Sequence, residues 1–313
     1  MQTLAVVVPA YNESAGLRAF HARLAAVFEQ LDLACSVLYV DDGSRDDTWQ
    51  VMESLRAQDT RIATLKLSRN FGKELALTAG LDHADADADA VVVIDADLQD
   101  PPELIPQFVA RWREGYDVVY GTRSTRAGES QLKKATAAAF YRVMERLSHT
   151  PVPRDTGDYR LMSRRALDAL KQLRERQRFM KGLFTWVGFR QTAIIYDRDA
   201  RFAGSSKFNY WRLWNFALEG ITSFSTAPLK VATYMGVLTA LLAFVFGLFV
   251  FGKALLFGDA VRGYPTLMVA VLFLGGVQLM ALGLIGEYLG RLYMEVKQRP
   301  LYLIDEHHDS TPR

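Results

Sequence analysis

The sequence predicts an α/β fold: a mainly parallel sheet flanked by helices, then an interfacial aromatic segment and a two-helix transmembrane hairpin. Three observations predict it. Between Leu4 and Gly121, apolar runs of strand length alternate with segments of helical length, the pattern of βαβ units. Acidic residues fall directly after two of these strands, as Asp41-Asp42 and as Asp95 and Asp97. In a parallel sheet the carboxyl ends share one edge, and ligands bind there. Two long uncharged stretches, Val231–Gly252 and Thr266–Gly286, lie in the last third, each long enough to cross about 30 Å of hydrocarbon as a helix.

The 313 residues suffice for one large domain and something smaller. A net charge of +2 gives no reason to expect a nucleic-acid partner. The single cysteine, Cys35, excludes an internal disulfide and fits a reducing compartment. It lies in an apolar run before a strand and reads as a buried structural thiol. Met1-Gln2-Thr3 lacks the basic start of a signal peptide, and the apolar run that follows is too short for one. Mean hydropathy is near zero, because a polar first two thirds offsets the apolar segment that follows.

Leu4–Val8 is the first strand, ending in Pro9-Ala10-Tyr11-Asn12-Glu13-Ser14. Asn12 or Ser14 caps a helix from Ala15 to Leu31. Ser36–Val40 is the second strand and closes in Asp41-Asp42-Gly43-Ser44; Asp46, Asp47 and Thr48 lead into a helix from Trp49 to Gln58. Ile62–Leu67 is the third strand, and the polar loop Ser68-Arg69-Asn70-Phe71-Gly72-Lys73 precedes a helix from Glu74 to Asp82. The alternating Asp and Ala residues up to Ala90 read as a solvated connection. Ala90-Val91-Val92-Val93-Ile94 is a fully buried strand. It runs into Asp95-Ala96-Asp97-Leu98-Gln99-Asp100 and is stopped by Pro101-Pro102. A helix from Glu103 to Glu114 and a fifth strand, Asp117–Gly121, follow.

Gly121-Thr122-Arg123-Ser124-Thr125-Arg126 brings two arginines to the ligand edge. A helix from Leu132 to Leu147 carries Lys133, Lys134 and Arg142 beside an apolar face, which suits either a membrane surface or ordinary solvent. In Thr156-Gly157-Asp158-Tyr159-Arg160, Gly157 reads as a turn before an acid flanked by aromatic and basic residues; Arg164 and Arg165 open a helix to Leu173. Lys181–Phe189 is apolar and glycine-punctuated, and Gln191–Tyr196 is a further strand. Arg201-Phe202-Ala203-Gly204-Ser205-Ser206-Lys207 is either a phosphate-gripping loop or an exposed basic one. Phe208–Phe224 holds Tyr210, Trp211, Trp214 and Phe216, the composition of an interfacial belt. Lys230, Arg291, Lys297 and Arg299 flank the spans and outnumber Lys253 and Arg262 between them, which puts the soluble part and the C-terminus in the cytoplasm. Gly286 and Gly290 would permit close helix contact. The expected division is a catalytic domain at 1–207, an interfacial amphipathic segment at 208–230, two transmembrane helices within 231–290 (about 231–252 and 266–289) and a cytoplasmic tail at 291–313.

Asp95 and Asp97 are hard oxygen donors suited to Mg²⁺ or Mn²⁺, and Gln99 can add a neutral oxygen. The alternative is that they only cap the next helix; the convergence of Asp41-Asp42 on the same edge favours a shared crevice. A divalent ion among acids and arginines has a natural task in holding a diphosphate and neutralising a departing nucleoside diphosphate. Asp41 is placed to hydrogen-bond a base or ribose. Arg123, Arg126, Arg201 and Lys207 exceed what one diphosphate needs. They suggest a second anionic group, which the hairpin suggests is a lipid phosphate. Such a phosphate is mostly ionised at neutral pH and can attack a sugar with little help from a base. Attack opposite the leaving diphosphate would invert the anomeric centre. Asp158 suits either orienting the nucleophile or binding sugar hydroxyls.

Val8-Pro9-Ala10-Tyr11-Asn12-Glu13, Asp41-Asp42-Gly43-Ser44, Asp95-Ala96-Asp97-Leu98-Gln99 and Gly157-Asp158-Tyr159-Arg160 resemble, in order, the motif series of family 2 glycosyltransferases with the GT-A fold. The C-terminal spans and Arg201-x-x-Gly204-x-Ser206-Lys207 resemble the polyprenyl-phosphate branch, which includes bactoprenol glucosyltransferases and is related to dolichol-phosphate mannose synthases. The resemblance covers about residues 4 to 300. It implies a GT-A (Rossmann-like) domain whose metal, Mg²⁺ or Mn²⁺, is held by Asp95, Asp97 and Gln99, with Asp158 and Asp97 as the catalytic residues. It implies nucleotide-sugar contacts at Pro9, Tyr11, Glu13, Asp41 and Lys73, at Asp95 and Ala96, and at Arg201 and Lys207. Arg123 and Arg126 would bind the lipid phosphate. The implied reaction moves one sugar, from a donor such as UDP-glucose or UDP-N-acetylhexosamine, to undecaprenyl phosphate on the cytoplasmic leaflet of the inner membrane, for cell-envelope glycan modification. A homotetramer is compatible with the resemblance. Gln177-Arg178-Phe179-Met180-Lys181 does not match the Gln-x-x-Arg-Trp motif of processive relatives, which argues against polymerisation. Two alternatives stand beside this reading: transfer to another lipid such as diacylglycerol, and a non-catalytic membrane scaffold that binds sugar nucleotides.

Overall fold

The computed structural model describes residues 1–124, 156–176, 178–197, 227–257 and 263–310. They fall into two units, the second built from the long C-terminal helices. The first rests on one eight-stranded sheet. Its strands are β1 Thr3–Ala10, β2 Ala34–Asp41, β3 Ile62–Leu67, β4 Ala90–Val93, β5 Val118–Arg123, β6 Thr156–Ser163, β7 Gln191–Tyr196 and β8 Ile304–His308, in the order β7-β5-β6-β4-β1-β2-β3-β8. β4, β1, β2 and β3 run parallel, as do β5 and β7. β6 is antiparallel to both its neighbours, and β8 is antiparallel to β3. The helices of this unit are α1 Leu17–Phe28, α2 Thr48–Arg56, α3 Lys73–Asp82, α4 Ile105–Arg113, α5 Arg164–Gln172 and α6 Met180–Trp186.

The parallel core is apolar on both faces because both are covered. Val6, Val8 and Val92 join Phe20 and Leu24 of α1 and Phe108 of α4 in one core. Burying each such side chain contributes about 1.5–3 kcal/mol. On the other face α3 lies directly on β1 and β2. A Cβ on Gly80 would sit 2.3 Å from a Val7 methyl, so the small residue sets the approach. Pro9 lies beyond Val7, the last β1 residue paired with β4, so its missing N–H removes no bond to that strand.

Two strands differ from the sequence reading. Thr156–Ser163, read as a turn at Gly157, is a strand buried along its whole length. It is covered on both sides, so it lacks the polar alternation that announces a strand. Gly157 packs closely there: a Cβ would lie 3.2 Å from Arg123 Nη2. Residues 304–308, within the expected tail, form the edge strand β8. Its Asp, Glu and His residues read as solvated chain, yet they meet charged partners. Lys66 Nζ lies 3.0 Å from Asp305 and 2.9 Å from Glu306, and His308 Nδ1 lies 3.1 Å from Glu53. The glycine-punctuated segment forms the seven-residue helix α6, which its sequence does not announce.

The second unit comprises α7 Ala227–Phe257 and α8 Tyr264–Val296, which pack on each other. Within α8, Phe273–Val296 is long and apolar enough to cross a membrane; α7 contains the shorter apolar stretch Ala232–Phe246. Leu241, Phe244, Phe249, Leu279 and Leu282 are all exposed, as lipid-facing side chains are. Among the described residues, a Cβ at Gly286 or Gly290 would meet nothing within 4 Å. Arg126, the Leu132–Leu147 helix, the Arg201–Lys207 loop and the aromatic segment Phe208–Phe224 lie outside the described residues.

Candidate active site

The loops after β1, β2 and β3 lock together at one sheet edge. Asn12, at φ 56°, accepts from Arg45 N at 2.8 Å, and its own N–H donates to Ser44 Oγ at 3.0 Å. Glu13 N donates to Thr48 Oγ1 at 2.9 Å. Asp42 accepts from Phe71 N at 2.7 Å and Gly72 N at 2.9 Å, fixing the loop that leads into α3. Gly43 makes that approach possible: at φ 65°, a Cβ there would lie 2.4 Å from the Arg69 carbonyl carbon. Asp41 is fully buried beside this wall. Its Oδ1 accepts from Ser44 N at 3.0 Å, while among the described residues Oδ2 has no hydrogen-bond partner. Burial raises its pKa from the ordinary value despite Ser44 and Lys66. A buried acceptor without a donor suits a ligand N–H or O–H.

The centre of the site is set by strand register. Val93 pairs with Arg160 across the antiparallel β4–β6 ladder. Asp95 and Asp158 therefore both lie two residues beyond that pair, on the same edge. Lys73, the first residue of α3, joins them: its Nζ lies 2.6 Å from Asp95 Oδ2 and 2.7 Å from Asp158 Oδ2. Desolvation works against the Lys73 ammonium, but the two carboxylates outweigh it and raise its pKa. The carboxylates diverge. Burial pushes both up, yet Lys73 and Lys181 hold Asp158 below its ordinary value. Asp95 remains raised, because the charges of Asp158 and Asp100 add to desolvation and together outweigh Lys73. The two lysines thus favour the charged form of Asp158, whereas Lys73 alone does not offset the burial of Asp95. Asp158 is only 7% exposed, and among the described residues its Oδ1 has no hydrogen-bond partner.

Basic groups surround this centre. Arg160 is buried; it donates to Gly157 O at 2.9 Å, its guanidinium stacks 3.6 Å over the Phe184 ring, and burial lowers its pKa to about 10. Arg123 is half-buried, its charge opposed by desolvation and favoured by Tyr196 and Asp100. Glu74, next to Lys73, accepts from Met180 N at 2.9 Å and so ties α3 to α6. Burial and the Asp158 charge raise its pKa to about 7. Lys181, on α6, is half-buried and its charge is disfavoured by desolvation.

Asp95, Asp97 and Gln99 are partly exposed and alternate with buried Ala96, Leu98 and Asp100. Asp97 Oδ1 accepts from Gln99 N at 3.1 Å in a turn where Leu98 has φ 60°. Among the described residues, no group of three or more Asp, Glu, His or Cys side chains could hold a metal ion. A two-carboxylate set fits a Mg²⁺-like ion that takes its other oxygens from water and substrate phosphate. Pro9 is buried, Glu13 half-buried and Tyr11 exposed at the same edge. Arg126, Arg201 and Lys207 lie outside the described residues. Sequence reasoning missed Glu74 and Lys181. Glu74 looks like an ordinary first-turn acid, and Lys181 opens a segment that is mostly apolar and glycine-punctuated.

The fold and this edge define a sugar-transfer enzyme of one family. Residues 5–171 match the family described as Glycosyl transferase family 2, and the chain belongs to it. Residues 227–292 match the GtrB C-terminal hairpin. The chain is 45% identical over 309 residues, 99% of each chain, to the SfII prophage-derived bactoprenol glucosyl transferase of Shigella flexneri. It is 53% identical over 303 residues, 97% of this chain and 95% of the relative, to the uncharacterized glycosyltransferase sll0501 of Synechocystis sp.. Among solved structures, mannosyl-3-phosphoglycerate synthase from Rubrobacter xylanophilus is 18% identical, with a TM-score of 0.49 over 71% of this chain and 72% of that one.

Proposed function

We propose that this transferase moves one glucosyl residue from a nucleotide sugar to a polyprenyl monophosphate, with inversion at the anomeric carbon. One observation carries the reading. Similarity to a bactoprenol glucosyl transferase runs through 309 residues, so it spans the sheet domain and both C-terminal helices. Catalysis and lipid attachment are then one inherited unit.

The proposed roles follow from the chemistry of each group. The unpartnered Asp41 Oδ2 supports Asp41 as acceptor for a donor base or ribose, beside contacts from Pro9, Tyr11, Glu13 and Ala96. Asp95, Asp97 and Gln99 would hold Mg²⁺ or Mn²⁺, which supplies Lewis-acid neutralisation of the diphosphate. Lys73, held between Asp95 and Asp158, is proposed to face the donor phosphates from that position. The unpartnered Asp158 Oδ1 supports that carboxylate as acceptor from a substrate hydroxyl, holding the sugar for attack by the lipid phosphate. Arg123, with Arg126, Arg201 and Lys207, is proposed to grip phosphates. The apolar α7 and α8 are read as a membrane hairpin with the sheet domain and both ends on the cytoplasmic side, following the flanking lysines and arginines.

The test is a panel of nucleotide sugars incubated with purified protein, with and without undecaprenyl phosphate, reading nucleoside diphosphate release. UDP-glucose is expected to give release that depends on the lipid and on a divalent ion. Equal release with diacylglycerol would redirect the acceptor. Nucleotide binding without turnover of any donor would favour the scaffold alternative.

A further inference from the structure

The site holds more cations than the roles above use. Arg160 is committed: its nitrogens face the Asp158 and Gly157 carbonyls, at 3.3 and 2.9 Å, and its plane lies on Phe184. Lys73 is committed to Asp95 and Asp158. Arg123 lies against Gly157, where a Cβ would come 3.2 Å from its Nη2. Lys181 is a fourth cation of this centre. It is half-buried, and among the described residues its ammonium forms no hydrogen bond or ion pair. Its backbone is fixed by the neighbouring Met180 N–H, held by Glu74 at 2.9 Å, and by Phe184 under Arg160. Its charged neighbours come from three other elements: Asp158 from β6, Lys73 and Glu74 from α3, and Arg123 from β5. Asp158 favours its charge, but lies beyond ion-pair reach.

A half-buried ammonium on a fixed helix, without a partner among the described residues, is open to a ligand of opposite charge. The surroundings exclude a cation and favour an anion whose charge also balances Lys73 and Arg123. We propose that Lys181 is a phosphate ligand of the transfer site, contributed by α6. Its ammonium donates to a non-bridging phosphate oxygen beside Asp158. Asp158 then has two tasks on one edge: pairing Lys73 with one oxygen, and leaving the other toward the substrate that Lys181 holds. The inference rests on the proposed transfer reaction. The phosphate is either the donor diphosphate or the acceptor monophosphate, and the experiment separates them.

Lys181→Met and Lys181→Arg are prepared in the full chain beside the unsubstituted protein. Melting temperature is measured, with KM for UDP-glucose, KM for undecaprenyl phosphate, and UDP affinity by calorimetry without lipid. For the Met variant, a KM rise of about 10-fold or more is expected for one substrate, with partial recovery in the Arg variant and an unchanged melting temperature. A rise confined to undecaprenyl phosphate, with UDP affinity unchanged, assigns the lipid phosphate. A parallel loss of UDP affinity assigns the diphosphate. If both KM values and UDP affinity stay within about twofold, the inference is overturned. If the unsubstituted protein itself transfers nothing, the proposed reaction fails instead, and UDP or inorganic phosphate binding still tests Lys181.

Discussion

The ammonium of Lys73 lies 2.7 Å from Asp158 and 2.6 Å from Asp95, so one lysine joins an acid on β6 to an acid after β4. It holds together two carboxylates whose charges would otherwise repel at the ligand edge. Lys73→Met is expected to lower the transfer rate by about 100-fold or more while the fold persists, since the side chain is 47% exposed. Steady-state kinetics with a parallel melting curve checks this; near-normal kcat would remove Lys73 from the mechanism.

Gly43 is a second point of strain. Alanine at φ 65° costs about 1–2 kcal/mol, and its Cβ would overlap the Arg69 backbone. Gly43→Ala is expected to lower the melting temperature and to weaken UDP binding together, because the loop it displaces leads through Gly72 to Lys73. Calorimetric UDP titration reads the second effect; unchanged affinity would separate that wall from the donor site.

Glu74 gives a pH signature. Its pKa rises from 4.5 unfolded to about 7 folded, first through burial and then through Asp158. A raised folded pKa means that the neutral carboxyl contributes stability at low pH, fully present below about 4.5 and lost as pH rises through about 7. Glu74→Gln stays neutral and keeps an oxygen for Met180 N. Its melting temperature is expected to gain on the unsubstituted protein by a few degrees between pH 6 and pH 8.5. A gap that is constant with pH would contradict the assignment.

The edge strand β8 makes a fourth, purely structural prediction. Beyond its ladder with β3, Ser68 N bonds Leu303 O at 2.9 Å, and Tyr302 donates to Asp82 at 2.9 Å. Deleting residues 300–313 exposes the β3 edge and is expected to cause aggregation. Tyr302→Phe removes one hydrogen bond and is expected to cost about 1 kcal/mol. Light scattering and melting curves distinguish the two.

The legible parts of the sequence were those whose physics is local. β1 to β4 show as apolar runs, and the acids after β2 and β4 mark the ligand edge because parallel strands end together. β6 was hidden because burial on both faces removes alternation, and Gly157 suggested a turn where it lies within a strand, close to Arg123. β8 was hidden because its pairing relies on charges from Lys66 and Glu53, distant in sequence. The Lys73–Asp158 contact depends on the Val93–Arg160 register, which no local pattern displays. Lys181 needed the Glu74–Met180 bond to fix the helix that carries it.

The central claim is tested most directly by the lipid product. Purified protein, UDP-glucose labelled in the sugar, undecaprenyl phosphate and Mg²⁺ or Mn²⁺ are incubated, and the lipid fraction is analysed for label and anomeric configuration. The account predicts a single β-linked glucosyl residue on the polyprenyl phosphate, absent in Asp97→Ala protein that remains folded. Undiminished glucosyl-lipid formation by that variant, or label on a lipid other than the polyprenyl phosphate, would contradict it.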